Sequence, residues 1–396
     1  MLSRRIRFDR NELAGSFGDI GTDLPLIIGI VLAAELDSAS VFIVFGALQI
    51  LTGLVYGLPM PMQPLKAMAV LIITQKLPGN IIYAAGFAIG ATMLLLTLSG
   101  LLEKLASWIP ECVVRGIQFG LGLSLASLAL KSYVPAMGLP GYAMAGGGLI
   151  IMVSLWGNRR FPPGLFIIGI GILYAAVAGL HLAAIADGLS VTMPQLRSPS
   201  LNDLWAGFWL LALPQLPLSI SNSVIATQRT IRDLFPERAV GIRKIGITYS
   251  IINLIAPFLG GIPVCHGCGG LAGHYTFGAR TGGSVIIYGA IYVALGLFFS
   301  GVLQEVLKVF PLPILGVVLL FEALTLLSLL RDQTGNARHT MIALLVGIVA
   351  MTLPQGYLLG LVIGTVIVYG FKRFGVSEQG LASTKLQSTQ PRQPTP

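Results

Sequence analysis

Residues 284–303 read SVIIYGAIYVALGLFFSGVL, without a single charge. At 1.5 Å per residue such a run covers the roughly 30 Å hydrocarbon core of a bilayer as a helix. Runs of this kind recur from one end of the chain to the other. Lipid offers no partner to backbone amides, so spans must be helices or closed barrels. Apolar runs of this length make the expected class an all-α polytopic membrane protein. Fourteen apolar segments can be drawn, at roughly 12–34, 40–57, 64–75, 79–101, 110–128, 142–157, 164–185, 204–227, 241–260, 267–277, 284–303, 311–329, 340–353 and 355–371. Only 10% of the residues are charged, where a soluble domain carries about 25%. No soluble domain of useful size is left over.

The net charge of +9 raises the question of nucleic acid, but its placement argues for a membrane. With the N-terminus cytoplasmic, 19 of the 25 Lys and Arg residues fall on one side. The other side receives only Lys76, Lys131, Arg197 and Lys308, while Lys66 and Arg115 lie in or beside segments. That asymmetry follows the positive-inside rule and places both termini in the cytoplasm, with the protein in the plasma (inner) membrane. The basic start before an apolar run resembles a signal peptide, but Asp19 and Asp23 within the run mark a retained helix. Cys265-His-Gly-Cys268 has C-x-x-C spacing but no second ligand pair, so neither metal nor any other cofactor is expected.

Three short matches recur in the same order and at near-constant spacing. Asp23-Leu-Pro-Leu26 resembles Gln215-Leu-Pro-Leu218, Gly57-Leu-Pro-Met60 resembles Gly261-Ile-Pro-Val264, and Pro110 corresponds to Pro311. With an odd number of segments per half, they suggest inverted repeats, seven plus seven. The expected division is a first repeat at 1–186, a linker at 187–203, a second repeat at 204–371 and a disordered cytoplasmic tail at 372–396.

The third and tenth segments are about half the length of a span, and each follows a helix-breaking stretch: GLPMPMQPLKA at 57–67 and PVCHGCGGLAG at 263–273. Pro59, Pro61 and Pro64 lack amide protons and push their predecessors towards extended geometry. Each repeat should therefore contain a short strand followed by a half-helix that starts near the midplane. Two helix N-termini would then face each other with orphaned N–H groups and partial positive charge, which is an anion cradle. Gln63 could donate to the anion through its amide, and Lys66 adds a full charge. Because Lys66 opposes its own helix dipole, a compensating anion or carboxylate is expected beside it.

Other polar residues compete for roles. Asp19, Asp23 and Glu322 are intramembrane acids. Proton coupling, or pairing with Lys66 or an amide dipole, are the readings open to Asp19 and Asp23. Glu322 has no obvious partner in sequence and is a candidate for proton coupling. Gly15, Gly18 and Gly21 would let the first helix break or pack closely. Gln215, Ser219 and Asn222 share a helical face and could bind ligand or knit helices together. His266 could donate to an anion, and His274 is a weaker candidate. Glu111 and Arg115 sit four apart and should pair. No H-E-x-x-H, phosphate-binding loop or catalytic triad spacing is present, so an enzyme is not expected.

Five stretches, ELAGSFGDIGTDLPL, GLVYGLPMPMQPLKAMA, PECVVRGIQFGLGLSLA, PQLPLSISNSVIA and PVCHGCGGLAGHYTFGARTGG, resemble the molybdate transporter family related to sulfate permeases. The family pattern Gly-Asp-Leu-Gly-Thr is matched by Gly18–Thr22 with Ile20 in place of the leucine, but Asp23 stands where an aromatic residue is usual, and Cys268 where a small one is. The resemblance implies core and gate domains, with segments 1–4 and 8–11 moving against 5–7 and 12–14 like an elevator. Its motifs fall on Gly18, Asp19, Gly21, Thr22, Gln63, Lys66, Arg115, Gln118, Asn222, His266 and Gly267. With Gln215 added from its helical face, the expected substrate-binding residues are Gly21, Thr22, Gln63, Lys66, Gln215, Asn222, His266 and Gly267, with Arg115 and Gln118 facing from the gate. The expected function is import of a tetrahedral oxyanion, molybdate or sulfate, by proton symport. An organic-anion or nucleobase carrier, or an anion channel, is the alternative, and dimerisation as a homodimer stays open.

Overall fold

The computed structural model describes residues 6–155, 163–178, 191–299, 301–302, 306 and 309–373. The expected tail from 374 onwards and part of the 187–203 linker lie outside them. The described chain is an array of helices with one two-stranded sheet. In order, the elements used below are α1 (Arg10–Gly15), α2 (Ile20–Ala34), α3 (Ser38–Tyr56), β1 (Met62–Pro64), α4 (Lys66–Gln75), α5 (Gly79–Leu98), α6 (Leu101–Trp108), α7 (Glu111–Leu128), α8 (Gly138–Ser154) and α9 (Pro163–Ala178). They continue with α10 (Leu201–Leu234), α11 (Ile242–Ile255), β2 (Val264–His266), α12 (Cys268–Thr276), α13 (Gly283–Phe298), α14 (Leu312–Ser328), α15 (Ala337–Thr352) and α16 (Gly356–Arg373).

Helices long and apolar enough to cross a bilayer include α3, α5, α10 and α16, while α2, α4, α13 and α15 are shorter apolar helices. The chain is thus an integral membrane protein. The first expected segment is split: α1 ends at Gly15 and α2 starts at Ile20, so Gly18 and Asp19 lie in the break. Close approach explains it, because a Cβ on Gly18 would come within 2.5 Å of the Gly273 backbone. The fifth and sixth segments are joined in one helical run, Glu111–Ser154. A π turn, a 3-10 turn and Gly138 at φ 61° interrupt it, and both α7 and α8 pack on α14.

Two packing groups emerge. In one, α3 lies along α13, α5 along α11, and α2 against α4; in the other, α7 is surrounded by α14, α15 and α16. The paired strands sit in the first group. β1 and β2 are antiparallel, with Met62 opposite His266, Gln63 opposite Cys265 and Pro64 opposite Val264. All six residues are buried, so their outward backbone groups need partners other than water. Two amide side chains supply them. Gln49 of α3 donates to Met62 O at 2.7 Å and accepts from Met62 N at 2.9 Å. Asn253 of α11 does the same for Val264, at 2.7 and 2.9 Å. Leu65 N closes the sheet on Pro263 O.

Beyond the strands, α4 and α12 run for 10 and 9 residues, about 15 and 14 Å at helical rise. The start of α4 carries one correction to the sequence reading. Gln215 Oε1 accepts from Ala67 N at 3.0 Å and Met68 N at 3.2 Å, so this side chain caps α4 from α10. Its amide oxygen is occupied by backbone. Glu12 plays a comparable part at α13, accepting from Arg280 N, Thr281 N and Ser284 N.

Replacing Gln49 with Met, or Asn253 with Leu, keeps the volume and strands two buried backbone groups. Each such group costs about 1–3 kcal/mol, so either change should destabilise the fold by about 2–6 kcal/mol. Thermal unfolding of the purified protein in detergent measures this, and an unaltered midpoint would contradict the clip.

Candidate functional site

Polar side chains from both packing groups converge on one cavity of about 630 Å³. Gly18, Asp19 and Thr22 come from the broken first segment, Lys66 from α4, and Asn222, Arg229, Thr230 and Asp233 from α10. Cys268, Gly269 and Gly273 come from α12, Glu111, Arg115 and Gln118 from α7, and Glu322 from α14. Exposure grades along it: Arg229 and Glu111 are 48% and 45% exposed, whereas Lys66 is 5% exposed. Lys66 therefore marks the inner end and the Arg229–Glu111 pair the mouth.

The inner end is held by a short polar chain. Lys66 Nζ forms an ion pair with Glu322 Oε1, and Thr22 Oγ1 donates to Glu322 Oε2 at 3.0 Å. This is the carboxylate that Lys66, placed against its own helix dipole, requires. Asp19 accepts at both oxygens from Gln63 Nε2, at 2.7 and 2.8 Å. Its Oδ2 also lies where a Cβ on Gly270 would be, 2.1 Å from that position, against the first turn of α12. A negative charge there is favoured by the helix N-terminus. Gly269, next to it, is exposed to the cavity, and a Cβ on it would meet nothing within 4 Å.

A second chain runs along the cavity wall. Arg115 pairs with Asp332 and donates from Nη1 to Gln118 Oε1 at 3.0 Å. Gln118 Nε2 donates to Asn222 Oδ1 at 2.9 Å, which also accepts from Cys268 Sγ at 3.3 Å. Asn222 lies in a π-helical stretch, Ser219–Ala226. Its i to i+5 bonding adds a residue per turn and rotates Asn222 away from Gln215 and Ser219. The expected shared face of 215, 219 and 222 therefore splits. Gln215 caps α4, Ser219 bonds Tyr249 at 2.8 Å, and Asn222 alone reaches the cavity.

Of the residues singled out in the sequence, Asp19, Thr22, Lys66, Arg115, Gln118, Asn222 and Glu322 are together on the cavity wall. Others are elsewhere. His266 is fully buried in β2, bonded through Nε2 to Thr248 Oγ1 at 2.8 Å and edge-on to Tyr56. Gln63 is held by Asp19 and packs on Gly267, where a Cβ would fall 1.8 Å from Gln63 Oε1. Gly267 has this approach as its reason, and neither residue is on the wall. Gly21 lies beside Val318 of α14. Asp23 is fully buried and accepts from Tyr288 Oη at 3.2 Å, behind the cavity rather than beside it. His274 bonds Ser284 at 3.1 Å. Glu111 and Arg115 do not pair with each other, because Arg229 and Asp332 from other elements reach them first.

The symmetric cradle is corrected too. Two of the orphaned donors of α4 are taken by Gln215, so α4 contributes the Lys66 charge and α12 contributes the open N-terminus at Gly269. Sequence reading missed Gln49, Asn253 and Gly269. The first two had a visible signal, an isolated amide in an apolar helix just ahead of each break.

The chain is similar to known proteins over most of its length. A family profile described as "Molybdate transporter of MFS superfamily" matches residues 11–125 and 207–326. Molybdate transporter 2 of Arabidopsis thaliana is 33% identical over 399 residues, covering 89% of this chain and 86% of that one. Molybdate transporter 1 of the same plant is 32% identical over 373 residues, covering 81% and 80%. Molybdate transporter 1 of Chlamydomonas reinhardtii is 28% identical over 470 residues, covering 89% and 90%. In structure, the transmembrane domain of the cyanobacterial bicarbonate transporter BicA superposes with a TM-score of 0.66 at 15% identity, covering 91% of this chain and 98% of that one. The murine anion transporter Slc26a9, in an inward-facing state, superposes with a TM-score of 0.71 at 14% identity, covering 94% and 70%. The fold is therefore that of sulfate permease-type anion transporters, whatever superfamily the profile's description carries. By profile and by identity to its relatives, the chain belongs to the molybdate transporter family.

Proposed function

We propose that the protein is a secondary transporter importing a tetrahedral oxyanion, molybdate first and sulfate second. The observation that carries this reading is the inner end of the cavity, where the Lys66 charge faces the open first turn of α12 at Gly269. A buried cation and a helix N-terminus together stabilise an anion taken out of water. The plant and algal relatives named as molybdate transporters supply the substrate.

The mouth of the cavity, with Arg229, is on the basic side of the chain, which the positive-inside rule makes cytoplasmic. Both termini share that side, in a plasma membrane, and the described state faces inward. Two seven-segment inverted repeats account for the parallel use of Gln49 and Asn253 beside the two strands. The group holding β1, β2, α4 and α12 acts as a moving core against α7 and α14. Its polar ties to them are Lys66–Glu322, Thr22–Glu322, Gln118–Asn222 and Arg229–Glu111.

Moving a dianion inward against the membrane potential costs about 2.3 kcal/mol per charge per 100 mV, hence about twice that for molybdate. A co-transported proton removes part of this cost. Asp19, Asp23 and Glu322 are the acids proposed to take it, Asp19 and Glu322 from the cavity wall and Asp23 from a fully buried position beside Tyr288.

Purified protein in liposomes should accumulate molybdate, with sulfate competing and uracil not. Losing a charge-assisted bond costs about 1.5–3 kcal/mol. Lys66→Ala should therefore lower uptake by about 10- to 150-fold, and a wild-type rate would remove Lys66 from the site. Gly269→Leu should abolish uptake with little change in thermal stability, because its side chain would project into open cavity. If that variant transports normally, the anion does not sit at α12. Dissipating an inward proton gradient with a protonophore should stop accumulation, and uptake indifferent to it would exclude symport.

A further inference from the structure

Glu322 lies mid-helix in VVLLFEALTLL, where an acid is costly unless partnered. Both its oxygens are engaged at the inner end of the cavity, Oε1 by Lys66 Nζ and Oε2 by Thr22 Oγ1 at 3.0 Å. A carboxylate held by an ammonium and a hydroxyl is itself a bound oxyanion. We propose that Glu322 is a tethered occupant of the anion seat, which an incoming oxyanion must displace from Lys66 and Thr22. The proposal rests on the transport reading above and adds what the empty site contains and what that does to selectivity.

The charges around the seat leave little alternative. The other basic residues on the cavity wall, Arg115 and Arg229, are paired with Asp332 and Glu111. Asp19, the acid on the α2 side, is held by Gln63. A dianion arriving with Glu322 in place would meet two carboxylates at the inner end and only one cation, already neutralised. With Glu322 displaced, it meets the Lys66 charge directly. The ligand therefore competes with an internal carboxylate, and its apparent affinity is the intrinsic one multiplied by the fraction of protein in which Glu322 is away from the seat.

Two consequences follow. A dianion attracts Lys66 more strongly than a monoanion does, so displacement favours molybdate and sulfate over monoanions such as nitrate. Lys66 and Thr22 belong to the helix group of the strands, and Glu322 to α14 of the other group. Displacement thus also removes two of the ties between the groups, so that loading of the site loosens the contact across which the groups would slide.

The test is equilibrium binding of radiolabelled molybdate to the purified protein, with nitrate as competitor. Glu322→Gln should bind molybdate about tenfold more tightly, a change of about 1.4 kcal/mol, and nitrate should now compete. Glu322→Asp, which keeps the charge, should retain the exclusion of nitrate. In the wild type, the infrared difference spectrum on adding molybdate should show a shift of carboxylate bands that ¹³C-labelling of glutamate moves. This last measurement does not depend on a variant that folds. Unchanged or weaker binding by a folded Glu322→Gln, or no change in the glutamate bands while wild-type binding is intact, would overturn the displacement alone. If the wild type binds neither molybdate nor sulfate, the transport reading falls and takes this inference with it.

Discussion

Extended backbone in the interior of a membrane protein is tolerated only where every amide and carbonyl finds a partner. Here that requirement is met by β1 and β2, which supply each other's inward hydrogen bonds, and by Gln49 and Asn253, which close the outward ones. The register leaves no freedom of placement. Once Met62 is opposite His266 and Pro64 opposite Val264, α4 starts at Lys66 and α12 at Cys268 from fixed points. The seat between them is therefore a consequence of backbone pairing. Side-chain chemistry is added to an arrangement that the strands have already set.

The electrostatics of the seat are uneven, and that is informative. A lysine in the first turn of a helix is unfavourable by itself, and Lys66 is tolerable because Glu322 stands against it. Removing one partner of such a buried pair costs far more than the pair contributes, about 3–5 kcal/mol, so neither charge is incidental. At α4 the dipole is met by Gln215, and at α12 by Asp19 beside an exposed glycine. One N-terminus is capped by a neutral amide and carries a cation, while the other is left accessible. A site made this way accepts an anion and can be emptied again, because its charges have partners to return to.

Much of this was legible in the sequence. The prolines of GLPMPMQPLKA and the glycines of PVCHGCGGLAG mark the breaks, because their effect on backbone geometry is local. Lys66 stands out for the same reason, as a charge one residue into a broken helix. What could not be read is long-range. Glu322 gives no sign in sequence that it will meet Lys66, and Gln215 resembles a ligand-binding amide until the backbone donors of Ala67 and Met68 that its oxygen accepts from are seen. The π-helical stretch around Asn222 defeats an argument from 3.6-residue periodicity, since an inserted residue changes the face without changing the composition. Glu111 and Arg115 fail for a simpler reason, that better-placed partners come from other helices.

The account's central claim is a position: an oxyanion held between Lys66 and the first turn of α12. Anomalous scattering at the molybdenum edge, from crystals of the protein grown with molybdate, locates that anion without reference to any variant. The account predicts one strong peak in contact with Lys66 Nζ and the Gly269 amide, with Glu322 moved away. A peak confined to Arg229 at the mouth, or none within reach of Lys66, would contradict it.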